Sequence, residues 1–158
     1  MNKSITLVLL CVYVGVVLIL PAACVPLPPA TPAPPASGAT ITDIVWQWAS
    51  VANRTTDTTT TVPDPQNYTI IFRADGTLSG QADCTTFTGT YSQDGGFTIT
   101  VVPDVMAACG GDSLDQQYLV LLEDIVAGGP DGAGGLALET AGGEQRMLCA
   151  NGGAATAP

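Results

Sequence analysis

The sequence contains no histidine. That removes the side chain whose charge changes near neutrality and the commonest transition-metal ligand, so most hydrolase and zinc-site readings fall with it. Positive charge is almost as scarce: Lys3, Arg54, Arg73 and Arg146 stand against 14 acidic residues. A formal charge of −10 repels a polyanion, and no basic patch is present to hold a phosphate backbone, so no nucleic acid is expected as a partner. Charge of this sign also serves plain solubility, and it leaves cationic partners open. Length sets the last bound. Once an N-terminal leader and a proline-rich stretch are set aside, 158 residues provide for one compact domain and one core.

What is present begins with an address. Lys3 precedes an almost unbroken apolar run from Ile5 to Leu20, followed by Pro21 and the small residues Ala22 and Ala23. This is the grammar of a signal peptide over residues 1–23, and the run is shorter than the ~20 residues a membrane-spanning helix needs. Leu20-Pro21-Ala22-Ala23-Cys24 resembles a bacterial lipobox, which makes Cys24 the expected lipidation site. It departs from the usual pattern in placing Pro21 where leucine is typical. Cys11, inside the apolar run, reads as a small apolar residue. Residues 24–40 then hold the lipidated cysteine and a Pro/Ala-rich linker, VPLPPATPAPPASG, whose fixed φ angles and missing N–H donors favour an extended spacer. The implied setting is the cell envelope, with the membrane as a partner through the N-terminal lipid anchor.

After Thr40 the pattern changes to short β-branched and aromatic segments punctuated by Gly, Asp and Asn, the grammar of an antiparallel sheet. Strands are expected at 44–50, 68–73, 77–83, 87–92 and 97–102, with Asp75-Gly76 and Asp94-Gly95-Gly96 as hairpin turns. A single helix is expected over 113–127, from Leu114, Tyr118, Leu121, Leu122, Ile125 and Val126 on one face, with Ser113 and Gln116 as a capping box and Gly128 as its stop. Residues 128–135 read as a flexible loop, and 136–140 with 145–149 as a closing hairpin. The Thr-rich stretch 53–66, broken by Pro63 and Pro65, reads as a long exposed and mobile loop. Residues 41–149 thus form the domain and 150–158 a disordered tail. Asn53-Arg54-Thr55 and Asn67-Tyr68-Thr69 match a glycosylation acceptor, but beside a bacterial-type signal the match carries no information.

Several blocks recur together: Trp46-Gln47-Trp48, Tyr68-Thr69-Ile70-Ile71-Phe72 with Asp75-Gly76, Gly80-Gln81-Ala82-Asp83-Cys84, Gly89-Thr90-Tyr91, Ala107-Ala108-Cys109, and Ser113-Leu114-Asp115-Gln116-Gln117-Tyr118. Their order and spacing resemble the META domain family, which includes the heat-inducible HslJ-like envelope lipoproteins. The resemblance implies an α+β fold in which an antiparallel β-sheet wraps a single α-helix, here preceded by a signal peptide and a Pro-rich tether. It implies no enzymatic activity and an association with envelope stress. Two departures stand out: Thr85 where the family commonly has asparagine, and Met106-Ala107 where it has threonine.

Three cysteines remain in the domain, and an exported setting permits a disulfide among them. The family pattern pairs Cys84 with Cys109. Cys149 is then the odd thiol, a buried inert cysteine or an alternative partner for Cys84, since no CxxC motif or histidine is present to activate it. Trp46 and Trp48 share one face of their strand, as a ligand platform or as two core-facing indoles. Asp57, Asp64, Asp112 and Asp131 match no calcium-loop spacing, so no metal and no cofactor is expected. The functional expectation is a non-enzymatic exported lipoprotein that binds an envelope protein or cell-wall ligand or supports the envelope under stress. The alternative is an inhibitor of a cationic hydrolase such as lysozyme, suggested by the charge and the long loop.

Overall fold

The computed structural model describes residues 40–104 and 108–156. The leader, Cys24, the Pro/Ala-rich linker and Met106-Ala107 lie outside the described residues. Among the described residues nine strands and one α-helix follow in the order β1 (Ile44–Asn53), β2 (Thr58–Thr61), β3 (Tyr68–Phe72), β4 (Thr77–Ala82), β5 (Thr85–Ser92), β6 (Thr98–Pro103), α1 (Asp115–Glu123), β7 (Ile125–Pro130), β8 (Leu136–Thr140) and β9 (Gln145–Ala154). Every strand pairing is antiparallel, in the sheet order β6-β5-β4-β3-β1-β9-β8-β7, with β2 added beside β1. The α+β expectation of a sheet around one helix therefore holds for the described residues.

The sheet coils into a half-barrel because its strands bend at small residues. A methyl group at Gly80 would strike the Thr69 carbonyl and the Phe87 ring, and one at Gly89 would strike the Thr100 carbonyl. Only glycine lets the backbones close up at these corners. The two ends of the sheet nearly meet, the Phe97 N–H donating to the Val126 carbonyl at 2.8 Å.

Side-chain alternation fills the interior. In β1 the buried residues run Trp46, Trp48, then Val51. The step of three follows from a bulge between Trp48 and Ser50, which inserts one residue and resets which side chains face inward. Tyr118 from α1 completes the core: its ring stacks on Trp48 at 5.2 Å and meets Tyr68 edge-on at 5.8 Å. Phe72, Tyr91 and Phe97 form a second group of rings. Every described aromatic except Trp46 has a ring partner, and the Trp46 indole N–H instead donates to the Ile41 carbonyl at 2.8 Å.

Four expectations need correction. The helix stops at Glu123 rather than Ala127, since Ile125 and Val126 are β-branched and begin β7. One of the two is buried and the other exposed, as in a strand and unlike a shared helical face. Gly128 accordingly pairs with Leu138 in the sheet and stops no helix. No capping box forms: the Leu114 N–H donates to the Tyr68 hydroxyl at 2.9 Å, and Ser113 Oγ accepts the Asp115 N–H at 3.2 Å. The stretch 53–66 is not a simple loop. Asn53 Oδ1 accepts the N–H groups of Thr55 and Thr56, turning the chain so that Thr58–Thr61 pair back onto Ser50–Asn53. Finally, the expected tail is largely strand, with Ala150 paired to Gln47 and Asn151 to Trp46.

Candidate functional site

Parts of several of the family-like blocks, Tyr68, Asp83-Cys84 and Cys109 with Ser113-Leu114, meet at one end of the sheet. Cys84, in the β4–β5 turn, is joined to Cys109, ahead of α1, by a disulfide with Cα atoms 5.7 Å apart. A loop closed over 25 positions stabilises the fold by about 3 kcal/mol in the chain-entropy estimate. Each cysteine has a neighbour lining the same cleft, Asp83 on one side and Gly110 on the other. The cleft holds about 350 Å³, and its remaining wall is the turn from Pro63 to Tyr68.

Local geometry holds each wall. Asp83 sits in the left-handed region at φ 54°, a conformation that aspartate tolerates better than most side chains, and its N–H donates to the Asn67 carbonyl at 2.7 Å. The Tyr68 hydroxyl accepts the Leu114 N–H and lies 3.5 Å from Ser113 Oγ, so one phenol bridges the sheet and the entry to the helix. Three carboxylates, Asp64, Asp83 and Asp112, line the opening. Among the described residues no cation answers them: Arg54 and Arg146 both approach Glu139, at 3.0 and 3.6 Å, and Arg73 pairs with Asp43 at 3.1 Å. The cleft is therefore a region of negative potential with a half-apolar wall, suited to an organic cation. Among the described residues no group of three or more His, Cys, Asp or Glu side chains is arranged to hold a metal ion.

The remaining candidates disperse. Trp46 and Trp48 are 3% and 0% exposed, so they pack the core and offer no ligand platform. Of the four loop aspartates, Asp64 and Asp112 share the cleft, whereas Asp57 turns the β1–β2 hairpin and Asp131 turns the β7–β8 hairpin. The Asp131 carboxylate accepts the N–H groups of Ala133 and Gly135, and these bonds, Ala133 first, hold its pKa below the ordinary 3.8. Burial pushes the Cys149 thiol up to about 12, which leaves it protonated and a poor nucleophile at neutral pH. Thr85 is buried, so this departure from the family pattern places a hydroxyl 3.9 Å from Cys109 Sγ, beside the disulfide. Sequence reasoning missed the roles of Asp83 and Tyr68. The signal for Asp83 was its place between two strands, next to a cysteine.

Comparison with known proteins gives a consistent picture. The META domain model matches residues 39–152. A protein from Burkholderia xenovorans with an NMR structure is 19% identical, with a TM-score of 0.56 over 80% of this chain and 98% of its own. A DUF4847-family protein from Bacteroides vulgatus, known from a crystal structure, is 17% identical, with a TM-score of 0.52 over 70% of this chain and 93% of its own. At such identities the two likenesses are of fold alone. No curated protein matches the chain. With the matched span covering the helix and all of the described sheet but the last two residues of β9, this chain belongs to the META domain family.

Proposed function

We propose that the chain is a non-enzymatic, HslJ-like exported lipoprotein, anchored through Cys24, whose acidic cleft receives a cationic group of an envelope protein or cell-wall component. The observation that carries this reading is the convergence of Asp64, Asp83 and Asp112 on one disulfide-bordered cleft, with all three described arginines engaged elsewhere. An amine or guanidinium entering it gains charge-assisted hydrogen bonds, while its aliphatic stem packs on Pro63 and Leu114.

Isothermal titration of the full chain with an oligolysine peptide tests the cleft. Replacing Asp64, Asp83 and Asp112 together by asparagine, which tolerates the backbone at Asp83, is expected to weaken binding at least about tenfold. Equal affinity for both proteins rejects the cleft as the site. Intact mass of the membrane fraction tests the anchor: a chain that starts at Cys24 and carries a diacylglyceryl group is expected, and an unlipidated soluble product rejects it. The same cleft supports the second reading, inhibition of a cationic hydrolase. Lysozyme left fully active by an equimolar amount of the protein eliminates that reading.

A further inference from the structure

A second surface has a different chemistry. Strand register places the outward side chains of β4, β5 and β6 in rows: Thr77 beside Thr90 and Thr100, Ser79 beside Thr88 and Val102, Gln81 beside Thr86, and Ser92 beside Thr98. None of these positions is ionisable, although the chain has 14 carboxylates. Asp75, Asp94 and Asp104 sit at the strand ends instead. Exposed strands ordinarily carry lysine or glutamate to stay soluble and unpaired, so an uncharged sheet face calls for an explanation.

The hydroxyls divide into two sets. Thr77 donates to Asp75 at 2.6 Å, Thr86 donates to Asp104 at 2.9 Å, and Ser92 accepts the Asp94 N–H at 3.1 Å. Among the described residues, the hydroxyls of Ser79, Thr88, Thr90, Thr98 and Thr100 have no hydrogen-bond partner, and each offers one donor and two acceptor positions. Between Thr77, Ser79, Thr88 and Thr90 lies a depression of about 470 Å³, bordered also by Leu78 and Gly89, with Arg73 at its edge. Threonine presents a methyl group and a hydroxyl together, which matches a sugar ring's C–H face and hydroxyl rim. Rows about 4.8 Å apart across strands and about 6.7 Å apart along them form a repeating grid, which suits a polymer better than one small molecule.

We propose that the outer face of β4, β5 and β6 is a docking surface for an uncharged polysaccharide chain. Charge selects this occupant: the aspartates at the strand ends and the net negative charge turn away an anionic polymer, and a cation gains more at the carboxylates than on a neutral face. The surface is separate from the acidic cleft, and neither depends on the other.

Affinity electrophoresis of the full chain, kept in a polyoxyethylene detergent, tests the proposal in native gels containing hydroxyethylcellulose, glycol chitin, laminarin or pullulan. Retardation is expected in at least one gel. The double variant Thr88→Val, Thr90→Val keeps side-chain shape and strand preference while removing two hydroxyls, and is expected to weaken that retardation about tenfold. Thr59→Val with Thr60→Val, on β2, is expected to leave it unchanged. Lack of retardation in all four gels overturns the proposal, as does equal retardation of wild type and the Thr88/Thr90 variant. Equal retardation in carboxymethylcellulose overturns it as well, by showing adsorption blind to charge. Sedimentation that reveals a dimer dissociated by the Thr88/Thr90 variant overturns it in favour of a second copy of the chain as occupant.

Discussion

Tyr118 and Cys149 place two titratable groups deep in the described core. Tyr118 is fully buried with its hydroxyl unpartnered, and burial raises its pKa well above the ordinary 10.0. Cys149 lies nearby, its thiol raised from 9.0 to about 12 by the same desolvation. Both are neutral in the folded form, so their contribution is complete at pH values below the ordinary thiol pKa. It is lost as pH rises from 9.0 toward and through the folded values. Stability is expected to be flat from neutrality to about pH 8.5 and then to fall, each group adding up to ~1.4 kcal/mol per pH unit once its unfolded form ionises. Thermal melts between pH 7 and 11 check this. Cys149→Ala should flatten the alkaline slope whatever it does to stability at neutral pH, and an unchanged slope refutes the assignment to the thiol.

Among the elements, the strands that alternate cleanly were the legible ones. Tyr68, Ile70 and Phe72 face inward at a period of two, and Asp75-Gly76 supplies the turn, with Gly76 at φ 84°. Reading failed where one local pattern fits two structures. Ile125 and Val126 extend a helical spacing, yet as β-branched residues they also suit a strand, and the pairing of Ile125 with Thr140 and of Ala127 with Glu139 decides for the strand. The last residues failed for another reason: Ala150, Asn151 and Ala154 have almost no apolar side chain to read, and their place in the sheet comes from backbone pairing with β1. The candidate cleft was half legible. Its cysteines followed from the family pattern, but three aspartates separated along the chain become neighbours only through sheet topology. Because β9 is real beyond Cys149, ending the chain there is expected to expose the edge of β1 at Trp46 and cost about 2–4 kcal/mol. Urea unfolding measures the loss, and a change below about 0.5 kcal/mol would mean the pairing contributes nothing.

For the whole molecule, the charge balance is one-sided. Each described arginine is already committed to a carboxylate, and the exposed aspartates that remain repel one another. Screening should therefore help more than it harms. The melting temperature is expected to rise by a few degrees from about 0.01 to 0.5 M sodium chloride, as the screening length shrinks several-fold. A fall over that range would place the balance with the three ion pairs instead.

The central position of β1 between β3 and β9 carries a consequence for the order of events during biogenesis. The first strand can complete its pairing only with the last, about a hundred positions later, and the loop between them must be closed before the core is sealed. A chain delivered N-terminus first from a ribosome stays unclosed until β9 has emerged. The topology therefore acts as a timer: the core is sealed only once β9 is free to pair with β1.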